Sequence, residues 1–313
     1  MSQGAAERPA LKPFFEPTIV NRPARSIAGP LRVTLFNAQG AVAVDKIAEC
    51  LARPPLSRSS IILLCESDWG THRSGQRETA RELAEKLEMS FVYAAEFGVP
   101  RKGGAHGSFL GNAILSATPL EDVRAVAFPM PIAERANPIL HKRVGHPTGL
   151  VCRLRFGQRE VQVGVVHLAS HCDPLSRDEQ MAAYLAQFSL AGPAILGGDL
   201  NTTTTNLLSG RAYLETFARM LMTPWRFHSP QRYEPLFHRL AAAGLEIDGV
   251  NRMRKPTFTF GRIVPPLFRP KLDWLAVREL KPVRRSAAVI PARPSFFSRR
   301  VSDHDFVTVE LEL

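Results

Sequence analysis

Two short segments, Leu196-Gly197-Gly198-Asp199-Leu200-Asn201-Thr202 and Val301-Ser302-Asp303-His304-Asp305, set acid, amide and imidazole groups directly against apolar runs. A polar group buried beside such a run is costly unless it has a partner or a job. Asn37, Glu66 and His167 each close another apolar run, and Asp273 lies inside one, Leu272-Asp273-Trp274-Leu275. Together they match what hydrolysis of a phosphate ester needs. That chemistry takes carboxylates for a hard divalent cation, a group that positions or deprotonates water, and donors or cations around the phosphoryl oxygens.

The residue types set the expected roles. Glu66, at an expected strand end, is placed to bind Mg²⁺ (or Mn²⁺), with water filling the remaining positions. Asn37 can turn its amide oxygen to the metal or its NH₂ to phosphate. Asp199 can orient the attacking water, with Asn201 bonded to Asp199 or to the phosphate, and Gly197 and Gly198 can let ligand and backbone approach closely. Protonated, His167 or His304 stabilises phosphoryl charge; neutral, His304 can act as a base. Asp273 is expected to pair with an imidazole, His304 being the choice, which leaves Asp303 for the metal shell.

Each residue alone has a plainer reading. Asp199 suits an Asx turn, Glu66 a helix N-terminus, His167 a satisfied core histidine, and Asp273 an ion pair with Arg269 or Lys271. Their joint order along the chain favours the site. His167 and His171 have the spacing of a helical zinc pair, but they follow a strand pattern and lack a Glu between them, so no zinc site is expected. Arg177 and Gln180 open an expected helix after His167, as solvated face or as site support.

These groups must be positioned by alternating strands and helices. Short apolar runs predict strands over 33–36, 61–64, 91–94, 113–116, 150–156, 161–168, 194–197, 257–260, 272–277 and 306–313. Helical spacing appears at Val44, Ile47, Ala48 and Leu51, at Ala80, Leu83, Ala84 and Leu87 with Ser74 as candidate N-cap, and over 178–188. Residues 1–30 are proline-bearing and aperiodic, an irregular strap before a single domain over 31–313. Neighbouring strands 150–156 and 161–168 are hairpin-like, which excludes an all-parallel sheet and favours two mixed sheets packed between helices. Long Pro/Gly-rich connections at 98–111, 128–149 and 261–271 read as binding loops.

The chain has 313 residues, 45% hydrophobic and 22% charged, ordinary for a soluble protein with a full core. Its 40 Lys plus Arg against 29 Asp plus Glu leave +11, a diffuse field that attracts polyanions: nucleic acid, anionic lipid headgroups or phosphorylated small molecules. Four cysteines without CxxC spacing fit reduced, buried thiols and a cytoplasmic setting. No signal-peptide pattern or long apolar span is present, so no stable membrane insertion is expected. Apolar–basic loops at 128–132, 264–268 and 296–300 are candidates to press on lipid or to stack on bases.

The ordered set Asn37, Glu66, Gly111-Asn112-Ala113-Ile114-Leu115-Ser116, His167, Gly198-Asp199-Leu200-Asn201, Leu272-Asp273-Trp274 and Ser302-Asp303-His304 resembles the endonuclease/exonuclease/phosphatase (DNase I-like) superfamily. The resemblance runs from about residue 31 to 313. It implies a four-layer α/β sandwich, two mixed β-sheets face to face with helices outside, and a Mg²⁺- or Mn²⁺-dependent site at one edge. It also implies metal positions at Asn37 and Glu66, a water-activating pair at Asp199 and Asn201, a phosphate-stabilising His167, and a closing acid–imidazole group at Asp273 and Asp303-His304.

There are departures. Cys65 stands where many members have Gln, and Asp68 makes a Glu-x-Asp variant. The phosphate contact expected between Glu66 and His167 has only Arg73, Arg101 and Arg143 as candidates. The expected activity is phosphodiester hydrolysis by a monomer. Nucleic acid leads as substrate, and a phospholipid or inositol phosphate is the alternative.

Overall fold

The computed structural model describes residues 16–27, 29–98, 108–131, 144–204, 214–215, 218–219, 221–259 and 265–313. The first sheet contains β1 (Thr18–Val20), β2 (Leu31–Gly40), β3 (Ser59–Trp69), β4 (Ser90–Gly98), β5 (Phe109–Ser116), β7 (Val144–Gly145), β12 (Lys281–Pro282), β13 (Ala288–Ile290) and β14 (Phe306–Glu312). Its order is β1-β4-β5-β3-β2-β14-β12, with β13 on β14 and β7 on β4. The second sheet contains β6 (Leu120–Ala127), β8 (Thr148–Phe156), β9 (Arg159–His167), β10 (Ala194–Asp199) and β11 (Asp273–Arg278), in the order β11-β10-β9-β8-β6. Both are mixed: β2 runs parallel to β3 and β10 parallel to β9, with antiparallel neighbours on either side.

The period-two pattern assigns the layers. Leu31, Val33 and Leu35 of β2, Ile61 and Leu63 of β3, Val161, Val163 and Val165 of β9, and Leu275 and Val277 of β11 meet between the sheets. Side chains of opposite phase, such as Phe36, Ile62 and Leu64, cover helices α1 (Val44–Leu51) and α2 (Thr79–Lys86) on the outside of the first sheet. Val166, Leu196, Trp274 and Ala276 cover α3 (Pro174–Leu185) and α4 (Leu236–Ala242) on the outside of the second. The central strands are apolar on both faces because each is covered on both. The result is the expected four-layer α/β sandwich.

The details depart from expectation in four places. Part of the strap is a strand: β1 pairs with β4. Residues 257–260 form no strand among the described positions; Phe258 makes a single bridge to His304. Ser74 does not cap α2, whose N-cap is Glu78, and instead bonds Thr71 within a turn. The third helix begins at Pro174, where Asp173 accepts Ser176 N–H and Pro174 needs no donor partner. All four cysteines are buried thiols.

Candidate active site

Asn37, His167, Asp199 and Asp273 sit at strand ends and continue the inward-facing phase of β2, β9, β10 and β11. Because β11 runs antiparallel to β10, and β14 antiparallel to β2, the loop before β11 and the loop carrying Ser302-Asp303-His304 reach that same edge. The core thus ends there in polar groups instead of aliphatic ones.

Glu66 breaks this phase. Counting from Ile61 and Leu63, position 66 faces outward, yet β3 shifts register against β5 between Leu64 and Ser67 and Glu66 takes φ +54°. A non-glycine residue there costs on the order of 1–3 kcal/mol, held by its surroundings. The bulge turns the carboxylate to the site, where Oε1 accepts Asn37 Nδ2–H at 3.1 Å.

Asn37 Nδ2 also donates to Asp199 Oδ2 at 2.9 Å, so one amide spans the two carboxylates. Its Oδ1, which sequence offers to a metal, accepts Gln39 N–H at 3.1 Å and keeps a second lone pair. Asp199 Oδ1 accepts the backbone N–H of Asn201 at 3.0 Å. The Asn201 side chain bonds away from Asp199, to Leu168 O at 2.8 Å, and ties the loop after β10 to the loop after β9. Gly197 and Gly198 serve packing and not ligand approach: a Cβ at Gly198 would lie 1.9 Å from Val166 O, and one at Gly197 would lie 2.6 Å from Leu63 Cδ1.

His304 Nδ1 lies 2.7 Å from Asp273 Oδ2, the pairing expected, and Nε2 lies 3.6 Å from Asp199 Oδ2. The Lys271 alternative fails because its ammonium donates to Asp273 O, a main-chain acceptor. Phe258 packs edge-on against the His304 ring at 4.8 Å, and Ser302 Oγ, bonded to Asn37 O and His304 N, fixes the loop. Asp303 accepts Gln39 Nε2–H at 3.1 Å. His167 Nε2 stands 3.8 Å from Glu66 and 3.9 Å from Asp199, with Nδ1 3.3 Å from Glu96 Oε2.

Electrostatics follow from this density of acids. Burial disfavours the charged imidazolium of His167, but Glu96, Glu66 and Asp199 outweigh it and raise its pKa to about 10. His304 behaves alike: burial opposes, Asp273 and Asp199 prevail, and its pKa is also about 10. Burial raises the Asp273 carboxyl, partly offset by His304. Burial raises Asp303 too, against the pull of His304.

The donor set fits a divalent cation. Glu66 and Asp303, with side chains 25% and 32% exposed, leave room for water and a substrate oxygen. Asp199, Asp273 and His304 also lie close enough to share an ion. That cluster is buried: His304 Nδ1 and Asp273 Oδ2 serve one another, while Asp273 Oδ1 has no hydrogen-bond partner among the described residues.

Glu96 and Gln39 join the site without a sequence expectation, and Ser302, quoted in the Ser302-Asp303-His304 motif, gains its role only here. Asn112 Nδ2 bonds Thr148 O, while its Oδ1 has no hydrogen-bond partner among the described residues. Both oxygens of Asp68 hold Arg73 at 2.8 Å. Glu66 acts on Arg73 electrostatically, whereas Arg101, Arg143 and the glycine-rich 103–107 lie outside the described residues. Arg177 and Gln180 are buried supports. Arg177 pairs with Glu234 at 2.7 Å, both fully buried, and Gln180 Oε1 accepts Ala169 N–H. His171 bonds Ser170 Oγ.

No family model matches the chain, and no curated protein does. Solved structures do. An endonuclease/exonuclease/phosphatase from Beutenbergia cavernae DSM 12333 is 22% identical with TM-score 0.58, over 91% of this chain and 72% of that one. D. rerio TDP2 complexed with single strand DNA product is 13% identical with TM-score 0.55, over 91% of this chain and all (100%) of that one. The 3'-5' exonuclease NExo from Neisseria Meningitidis is 16% identical with TM-score 0.57, over 90% of this chain and 100% of that one. The chain therefore has the endonuclease/exonuclease/phosphatase, or DNase I-like, fold.

Proposed function

We propose that this chain is a divalent-metal-dependent phosphoesterase that cleaves phosphodiesters by direct attack of water. The observation that carries the reading is the position of Asp199, whose oxygens meet Asn37 Nδ2, the Asn201 N–H and, within 3.9 Å, two imidazoles. Glu66 and Asp303 hold Mg²⁺ or Mn²⁺, with Asn37 fixing the Glu66 carboxylate. The cation, when bound, polarises the phosphoryl group and offsets its charge.

Asp199 orients water and takes its proton as the new P–O bond forms. The bond to the leaving oxygen breaks, and protonated His304 or His167 stabilises the charge that develops. Asp273 keeps His304 charged and oriented. The decisive assay is hydrolysis of bis-p-nitrophenyl phosphate with Mg²⁺, abolished by EDTA and restored by added metal. No turnover with either metal would remove this reading.

The +11 charge and the DNA product named for a fold neighbour support nucleic acid as substrate. A second reading keeps the site and takes a phospholipid or inositol phosphate as substrate; exposed apolar residues at the site's edge favour the lipid. Plasmid, abasic oligonucleotide, sphingomyelin and inositol phosphates assayed side by side separate the two. The chain is expected to act as a monomer in the cytoplasm. No helix among the described residues is long and apolar enough to cross a membrane.

A further inference from the structure

The loop before the site's Ser302-Asp303-His304 carries Phe296 and Phe297, 75% and 94% exposed. Two such rings in water forgo the stabilisation that burial would give. Ser298 N–H bonds Ser295 O, their hydroxyls meet at 2.7 Å, and the Arg293 guanidinium caps the Phe296 ring at 4.8 Å.

The pair is not isolated. Val42 follows the end of β2, Leu175 lies in the first turn of α3 after β9, and Trp225 and Leu267 precede β11; all are exposed. By strand direction Val42, Leu175 and Leu267 emerge at the edge that holds the site, and the bond from Lys271 N–H to Phe227 O brings the Trp225 turn to the loop before β11. The opposite edge exposes fewer and smaller ones among the described residues: Leu190, with Ile19 and Val20 of β1 beside the start of β4.

We propose that this edge docks on an anionic lipid surface, with Phe296 and Phe297 entering the headgroup–acyl boundary. The inference deepens the proposed function, on which its catalytic meaning rests, by setting the phosphodiester site against lipid headgroups. Charge favours that partner: Arg293 and exposed Arg299 flank the rings, and the whole chain carries +11. The residue types separate lipid from nucleic acid. Phe stacks on bases, but Val42, Leu175 and Leu267 have no π face and gain only by leaving water. Peripheral docking needs no membrane span.

The test uses the full chain and vesicles of phosphatidylcholine with about one third phosphatidylserine. The wild type is expected to cosediment, more weakly as salt rises, with a blue shift of Trp225, since Trp69 and Trp274 are buried. Phe296→Ser/Phe297→Ser is expected to lower partitioning at least about tenfold while the melting temperature and the turnover of soluble bis-p-nitrophenyl phosphate stay unchanged. A wild type that does not bind, or a variant that binds equally well, overturns the proposal. So does loss of oligonucleotide binding in place of vesicle binding, or a dimer mass by light scattering that becomes monomeric in the variant. Vesicle binding and soluble turnover are separate readouts, so docking and hydrolysis can fail independently.

Discussion

His304 Nδ1 stands 2.7 Å from Asp273 Oδ2, and Nε2 of the same ring lies 3.6 Å from Asp199 Oδ2. One imidazole therefore links a closed carboxylate, behind the site, to one that faces it. Asp273 sets the ring's orientation and charge, and Asp199 sets where that charge acts.

Asp199→Asn keeps the size of the side chain and removes its charge. The variant is expected to lose kcat by about 10²–10⁴-fold. Its melting temperature should hold or rise, because carboxylates crowded for function oppose folding. Steady-state kinetics and a thermal melt check both, and near-wild-type turnover would remove Asp199 from the reaction.

Glu66→Gln is expected to abolish Mg²⁺ binding measured by calorimetry, with activity lost in parallel. Asp303→Asn, on the more exposed side of the pair, should weaken binding less. Unchanged affinity in Glu66→Gln would move the cation elsewhere.

The histidines and Lys271 give opposite pH slopes in the metal-free protein. His167 and His304 titrate at about 10 in the folded chain and near ~6.5 unfolded. Their stabilisation is complete below ~6.5 and is lost as pH rises through about 10. Burial lowers Lys271 to about 7, against ~10.4 unfolded, so its destabilisation is full below pH ~7 and fades as pH rises toward ~10. Lys271→Met should raise the melting temperature most at and below pH ~7, with the gain shrinking toward pH ~10. A gain that does not vary with pH would contradict the lowered lysine.

Glu234 ties two site loops. It pairs with buried Arg177, and its Oε1 accepts Thr204 N–H at 2.7 Å, three residues beyond Asn201. Glu234→Ala strands a buried guanidinium and should cost about 3–5 kcal/mol in denaturant unfolding. A loss below ~1 kcal/mol would show that water replaces the carboxylate easily.

Much of this was legible because strands report their faces. Asn37, His167, Asp199 and Asp273 extend inward-facing rows of Leu, Ile and Val, so polarity at those positions stood out. Glu96 shares the parity of Val92 and Ala94 and was equally readable, but the strand was expected to stop at Ala94. Glu66 was found by type, while its orientation was not legible, since period-two counting places it outward and only the bulge brings it in. The Gly197-Gly198 pair was assigned to a ligand because sequence does not show Leu63 and Val166 pressing on it. Glu234, distant in sequence and in no apolar run, gave no signal without its partner Arg177.

Anomalous scattering from a crystal soaked in Mn²⁺ tests the central claim most directly. The account predicts a peak about 2.0–2.2 Å from a Glu66 oxygen, with Asp303 on the same ion, Asp199 facing its water and the Asp273–His304 bond intact. A peak seated between Asp273 and His304, or none beside Glu66 at saturating metal, would contradict it.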